Sequence, residues 1–289
     1  MNDLLLSALL GVVEGVTEFL PVSSTAHLRI TEALLGLDLG NGYWKMFTIV
    51  IQLGAIACVP IYFRARIAAF VAGFARTARE GGALLRDPLS LTAVAFVCTA
   101  VPSLLLVKVI GKNLESVFVM AGALIAGGIV MWVVDVLYAR HRLATSTERM
   151  EQMGLGQAVW VGLCQILSAV FPGVSRSMAT IAGGQLAGMT RASALEFSFF
   201  LSMPTMLAAT GYDLLKTLRD AHRSPLGAVQ IDAHGWVLLA VGFAVSFVTA
   251  YGVVAWFMKW VRDRGFVPFA AYRIVAGAAV LWWAARGAA

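Results

Sequence analysis

The sequence predicts an all-α polytopic membrane protein built as an inverted-topology repeat. Each half is a broken re-entrant helix hairpin followed by three transmembrane helices, giving six full spans. Three observations predict this. Of the 289 residues, 60% are hydrophobic and 13% charged, against roughly half and a quarter in soluble domains, and the mean hydropathy is +0.81. Six apolar stretches approach or exceed the roughly 20 helical residues that cross a hydrocarbon core. Two further stretches are each broken mid-way by a hydroxyl-rich turn, and the two turns align with one another along the chain. A soluble globule is excluded, because it would have too few charges to cover its surface. Disordered, collagen-like and disulfide-rich classes fail as well. Cys58, Cys98 and Cys164 all lie inside apolar runs, where cysteine serves as a small hydrophobe.

The first broken segment, about 3–39, carries Pro21-Val22-Ser23-Ser24-Thr25 at its centre. Proline removes a backbone donor and clashes with the preceding turn, so the segment reads as two half-helices. Irregular backbone at membrane depth is tolerated only inside protein or beside a wet cavity. Spans follow at about 42–63, 88–110 and 117–138, with a charged segment from Arg64 to Asp87 between the first two. That segment reads either as a surface amphipathic helix, Phe70 and Phe74 opposing Arg66, Arg76 and Arg79, or as a solvated linker. The second broken segment, about 156–190, turns at Pro172-Gly173-Val174-Ser175-Arg176-Ser177, and spans follow at about 192–213, 234–258 and 268–286.

At an offset of 151, Gly11 matches Gly162, Pro21 matches Pro172 and Ser24 matches Ser175, while Glu14 falls opposite Gln165. The chain therefore reads as one membrane domain of two repeats, 1–138 and 152–289. An odd number of crossings per repeat turns the second copy upside down, so the two turns meet near the midplane.

Orientation follows from the arginines. If the first hairpin enters from outside, the inner segments 64–87, 139–155 and 259–266 carry eleven Lys/Arg. The opposing loops 111–116 and 214–233 carry four, Lys216, Arg219 and Arg223 among them. The positive-inside rule thus places both termini outside. No cleavable signal peptide is expected, since Met-Asn-Asp lacks a basic start and the apolar run contains Glu14 and Glu18. The net charge of +6 is a topology determinant that also meets anionic membrane lipids, and it does not point to nucleic acid.

Membrane-depth polar residues carry the chemistry, because an ionised acid at a helix centre costs roughly 2.5–3.5 kcal/mol. Glu14 and Glu18 lie four apart on one helix face, where like charges repel. A proton, a basic side chain or a bound cation would stabilise them. If Ser24 caps the second half-helix, His27 falls in its first turn beside free backbone N–H groups. In the partner turn, Arg176 stands among Ser175, Ser177 and Thr180 at a helix start, a ready anion site. Its guanidinium can hold phosphate oxygens bidentately. A simple ion pair of Arg176 with Glu14 or Glu18 is the plainer alternative. Two acids alone would repel a phosphate. A divalent cation, magnesium or calcium rather than zinc, removes that objection. The residues point to phosphate-ester or pyrophosphate chemistry at the membrane.

Glu14-Gly15-Val16-Thr17-Glu18-Phe19-Leu20-Pro21-Val22-Ser23-Ser24-Thr25-Ala26-His27 and Pro172-Gly173-Val174-Ser175-Arg176-Ser177-Met178-Ala179-Thr180 closely resemble the two signature regions of the bacterial undecaprenyl-pyrophosphate phosphatases, the bacitracin-resistance family. Ala26 and Met178 stand where many members have glycine, and neither change removes a polar group. The resemblance covers the whole chain. It implies hydrolysis of undecaprenyl pyrophosphate to the monophosphate, recycling the carrier lipid for peptidoglycan synthesis and conferring bacitracin resistance. It also implies a divalent-cation requirement, the bacterial inner membrane, and a site opening to the outer, periplasmic face.

The residues carried over are Glu14, Glu18, Ser24, His27, Ser175, Arg176, Ser177 and Thr180. Glu14 and Glu18 would hold the cation or relay protons. Ser24, Ser175, Arg176, Ser177 and Thr180 would bind the pyrophosphate. His27, Ser24 or water would attack. The architecture alone also fits a transporter or flippase of a phosphorylated lipid or small anion. A structural scaffold leaves the buried acids unexplained. A homo-oligomer is compatible with the sequence.

Overall fold

The computed structural model describes residues 2–37, 42–106, 116–140, 147–223 and 232–286. Eleven α-helices are formed among them: α1 Asp3–Thr17, α2 Ser24–Leu34, α3 Gly42–Tyr62, α4 Arg64–Arg79, α5 Pro88–Leu105, α6 Val117–Arg140, α7 Leu155–Val170, α8 Arg176–Leu186, α9 Arg191–Arg223, α10 Ala233–Arg264 and α11 Val267–Ala285. Among the described residues there is no strand, only an isolated bridge between Thr147 and Met189.

Local chemistry sets several helix starts. Asn2 caps α1 by accepting from Leu4 N at 3.0 Å, and Asp87 caps α5 by accepting from Leu89 N at 2.9 Å. Pro88 follows as the first residue of α5, where its missing N–H has no partner to lose. Asp232 accepts from Gly235 N at 2.8 Å to open α10.

Five helices are long and apolar enough to cross a membrane alone, and six spans result if the bent pair α3–α4 counts as one. Leu104, Leu207, Val248 and Val275 lie on these spans with more than half of their surface exposed, as lipid-facing positions require. The chain is a multi-pass membrane protein.

Some boundaries move. The segment from Arg64 is a helix rather than a linker, turned by 65° from α3. Its Phe70 is buried against Phe200, the ring centroids 5.3 Å apart, while Arg76 and Arg79 are exposed. The segment 214–223, read as loop, continues α9, because no glycine or proline interrupts it before Pro225. The side chains of Lys216, Arg219 and Arg223, like all of 107–115 and 141–146, lie outside the described residues.

Packing is exchanged between the halves. The hairpin α1–α2 leans on α10 through α1, and the hairpin α7–α8 leans on α5 through α7. Helix α3 packs on α10 and α9 packs on α5, while α3 meets α9 and α6 meets α11. Glycine at the aligned positions makes these crossings close. A Cβ on Gly11 would stand 2.8 Å from Gly242 O on α10, and one on Gly162 would overlap Ala95 O on α5. Hydroxyls tie the crossings further: Thr99 donates to Gly162 O at 2.7 Å, and Ser7 donates to Leu238 O at 2.6 Å. Small residues and interhelical hydroxyls hold helices together where lipid removes the hydrophobic drive.

Candidate active site

Both hairpins break at a strained serine. Ser23 has φ 74° and Ser175 has φ 70°, the two non-glycine residues with positive φ among those described. Such conformations cost on the order of 1–3 kcal/mol and cluster at functional sites. Each serine directly precedes an eleven-residue helix, α2 or α8. The structural match between the turns is therefore Ser23 with Ser175, one residue away from the Ser24–Ser175 alignment. Ser23, not Ser24, is the cap residue of α2, and its side chain makes no capping bond. Ser24 becomes the first residue of the helix, and its hydroxyl is free for other work. His27 still falls in the first turn, its N–H donating to Ser23 O at 3.2 Å. In the second turn Ser175 is a working cap and accepts from Met178 N at 3.3 Å.

The turns meet at Glu18. One carboxylate oxygen accepts a short hydrogen bond from Ser24 Oγ, and the other lies 3.3 Å from Arg176 Nη2. Arg176 also donates to Ser198 O at 3.4 Å and lies over the Phe19 ring, 5.9 Å from its centroid. Both of its bonds are long, so the guanidinium keeps donor capacity for a stronger anion. The turns are stitched again by Ser177, whose hydroxyl donates to Leu20 O at 2.9 Å and lies 3.0 Å from Ser175 Oγ. Thr180 sits one turn further along α8, 2.7 Å from Ser198 Oγ and donating to Arg176 O at 2.9 Å. It supports the arginine's helix from behind.

Glu14 occupies the turn of α1 before Glu18 and is 1% exposed, yet neither of its carboxylate oxygens has a hydrogen-bond partner. The charged groups around it are Glu18, Glu32 and Arg176. An orphaned buried carboxylate is costly, and a hard cation would satisfy it through oxygen ligands. The site thus fits a divalent cation. Among the described residues no three His, Cys, Asp or Glu side chains form a metal cluster, so Glu14 and Glu18 would be the protein's share of the ligands. Gln165, the repeat counterpart of Glu14, is also buried, and its Oε1 is also without a partner.

His27 stands apart from the Glu18–Arg176 pair. Its Nδ1 faces Ser23 O at 2.7 Å and its Nε2 faces Tyr272 Oη at 2.6 Å. The two rings lie nearly parallel, centroids 5.6 Å apart.

Three groups escape a reading based on the two turns alone, the half-exposed Tyr272 and the buried Glu32 and Arg273. Tyr272 completes the contacts of His27. Glu32 on α2 is buried, and the oxygen that lies 3.8 Å from Arg29 Nη1 has no hydrogen-bond partner. Arg273 on α11 is fully buried and donates to four backbone carbonyls: Leu124, Pro21, Ala123 and Gly173. The signal for Arg273 was present in the sequence, as an arginine inside the last apolar run. The cost that marks Arg176 applies to it equally.

Comparison with known proteins shows the family. A family described as "Bacitracin resistance protein BacA" matches residues 7–279. The chain is 66% identical over 288 residues to a protein of Koribacter versatilis named undecaprenyl-diphosphatase, covering 99% of this chain and all of that one. Proteins of the same name from Novosphingobium aromaticivorans and Caldanaerobacter subterraneus are 44% identical over 285 residues and 38% identical over 286. Each covers 99% of this chain, and the chain covers 99% and 98% of them respectively. The match spans nearly the whole chain at such identity, and this chain belongs to the BacA family of bacitracin resistance proteins.

Proposed function

We propose that this chain hydrolyses undecaprenyl pyrophosphate to undecaprenyl phosphate and inorganic phosphate, and so returns the carrier lipid to cell-wall synthesis. The observation that carries the reading is Glu18, which holds the Ser24 hydroxyl with one oxygen and Arg176 with the other. It joins a candidate nucleophile to a candidate phosphate clamp. The name shared by full-length relatives points to the same reaction.

In the mechanism this supports, the pyrophosphate binds at the facing starts of α2 and α8, where free backbone N–H groups and the helix dipoles favour anions. Arg176 turns from Glu18 to the phosphate oxygens, with Ser175 and Ser177 as further donors and Thr180 holding the helix behind it. Ser24 Oγ attacks the terminal phosphorus, and Glu18 takes its proton. The bond from that phosphorus to the bridging oxygen breaks, and undecaprenyl phosphate leaves with the electron pair. Water then attacks the phosphoserine and releases inorganic phosphate, while Glu18 returns the proton to Ser24. His27 is engaged by Tyr272 on the nitrogen it would use to attack, which favours an assisting role for it. A magnesium or calcium ion on Glu14 and Glu18 would supply charge neutralisation and polarise the phosphorus.

The arginine distribution supports both termini on the outer side, and the family resemblance supports the bacterial inner membrane with the site opening to the outer face. The exchanged packing of α1 on α10 and of α7 on α5 supports 1–138 and 152–289 as inverted repeats. A transporter or flippase would also use buried charges, but it has no need of a serine hydroxyl held by a carboxylate.

The test is phosphate release from undecaprenyl pyrophosphate by the purified protein in detergent, for wild type, Ser24→Ala, His27→Ala and Arg176→Ala. Release by wild type that falls in all three variants is expected. A wild type that binds the lipid and releases no phosphate would favour transport.

A further inference from the structure

Arg273 presents an unusual arrangement for an arginine at membrane depth. Its side chain is fully buried, and among the described residues no carboxylate pairs with it. Its guanidinium instead gathers backbone carbonyls from three segments. Nη1 donates to Pro21 O at 2.9 Å in the first turn, and Nη2 donates to Gly173 O at 3.0 Å in the second. Nη2 and Nε also reach Ala123 O at 3.1 Å and Leu124 O at 3.3 Å on α6. Each turn carbonyl lies three residues before a working residue, Pro21 before Ser24 and Gly173 before Arg176.

The surroundings are built to receive this group. Gly127 on α6 faces it so closely that a Cβ there would overlap Nη2 and stand 3.1 Å from the guanidinium carbon. Gly173 has φ +97°, and a Cβ on it would stand 2.5 Å from Met120 O, so the second turn reaches α6 with no side chain between them. A planar fork with five donors in fixed directions can span two turns and a helix at once, whereas an ammonium is a compact point charge.

We propose that Arg273 is a positioning residue for the reaction, a brace that fixes the separation between the Glu18–Ser24 turn and the Arg176 turn. It touches neither substrate nor reacting atoms and acts through the two carbonyls. The proposal rests on the active-site reading above. Because in-line phosphoryl transfer needs nucleophile and clamp in register, a misplacement of about 1 Å costs on the order of 100-fold in rate.

The experiment is a double-mutant cycle in detergent-purified protein, read as kcat for phosphate release, with folded fraction and thermal midpoint measured alongside. The variants are Arg273→Lys, Gly127→Ala, Arg176→Lys and the two combinations with Arg176→Lys. Gly127→Ala displaces the guanidinium while leaving Arg273 in place and improving helix propensity at its own site. Each brace variant is expected to lower kcat by roughly 10–100-fold with the folded fraction retained. In the Arg176→Lys background the further loss is expected to be at least about fivefold smaller, because the clamp whose position is being set is already impaired. Losses that simply multiply, or activity within twofold of wild type in both brace variants, would overturn the proposal. Failure of both to fold would assign Arg273 to stability alone and overturn it too. A wild type without phosphatase activity would refute the functional reading instead, and is told apart by that control.

Discussion

Tyr272 Oη lies 2.6 Å from His27 Nε2 while His27 Nδ1 lies 2.7 Å from the carbonyl of Ser23. A carbonyl oxygen can only accept, so Nδ1 carries the proton. In the neutral imidazole Nε2 is therefore the acceptor, and the tyrosine hydroxyl donates to it. The strained serine at the head of α2 thus fixes the tautomer of the histidine one turn later. Replacing Tyr272 with Phe removes one neutral hydrogen bond, worth about 1 kcal/mol. Steady-state kinetics should show a loss of no more than about tenfold, while His27→Ala should lose at least about 100-fold if it assists proton transfer. Equal losses in the two variants would place the tyrosine in the chemistry itself.

Ser24→Ala should abolish a phosphoenzyme that acid quenching traps on the wild type. Glu18→Gln should slow its formation by about 10²–10⁴-fold, the range for loss of a general base. Radiolabel found on His27 instead would reverse the assignment of nucleophile.

Chelation should stop phosphate release, and added magnesium or calcium should restore it. Glu14→Gln should raise the cation concentration needed for half-maximal activity, because it removes the carboxylate with two unpartnered oxygens. Hydrolysis that is indifferent to chelator would remove the cation from the mechanism.

Gly162→Leu should lower the thermal midpoint without touching the site. Even the first carbon of the new side chain would overlap Ala95 O on α5, and overpacking of this kind costs about 1–3 kcal/mol. Thermal unfolding in detergent, with Gly156→Leu as the open-space control, measures the difference.

Elsewhere Arg66 grips Glu151 at 2.6 Å and Glu196 at 2.7 Å. The hydrogen bond from Arg66 holds the Glu151 carboxyl below its ordinary value of 4.5. A depressed folded-state pKa gives stability that is fully present above the unfolded value and is lost as pH falls through the folded one. The thermal midpoint of wild type should therefore exceed that of Arg66→Ala at pH 7, and the gap should close as pH drops below 4.5. A gap that is constant with pH would attribute it to the packing of Arg66 on Phe70, 4.7 Å from the ring centroid.

Much of the site was legible because membrane depth makes charge expensive. Glu14, Glu18 and Arg176 stand out in apolar runs on that ground alone, and the two turns advertise themselves by proline and serine. The one-residue register error at Ser23 arose from a different kind of information. A left-handed serine has no compositional signature, and Ser23-Ser24 offers two adjacent residues that both suit a cap. Tyr272 stayed hidden because an aromatic residue near the start of an apolar helix is ordinary. The continuation of α9 to Arg223 was missed because charged residues after Asp213 read as loop, although their helix propensity is good. The contact between the turns depends on helix crossings, and glycine spacing suggests crossings without naming the partner.

The exchange of partners between the halves also bears on how the protein is made. A ribosome delivers α1 to α6 first, before the helix on which α1 rests exists. Until α10 is inserted, α1 lacks the helix on which it packs, and until α11 arrives the first turn has no arginine behind it. A chain truncated after α6 should therefore leave the packing face of α1 uncovered and be degraded faster than the whole protein. Supplying the missing half from a second gene should rescue it, since each fragment carries the surface that the other lacks.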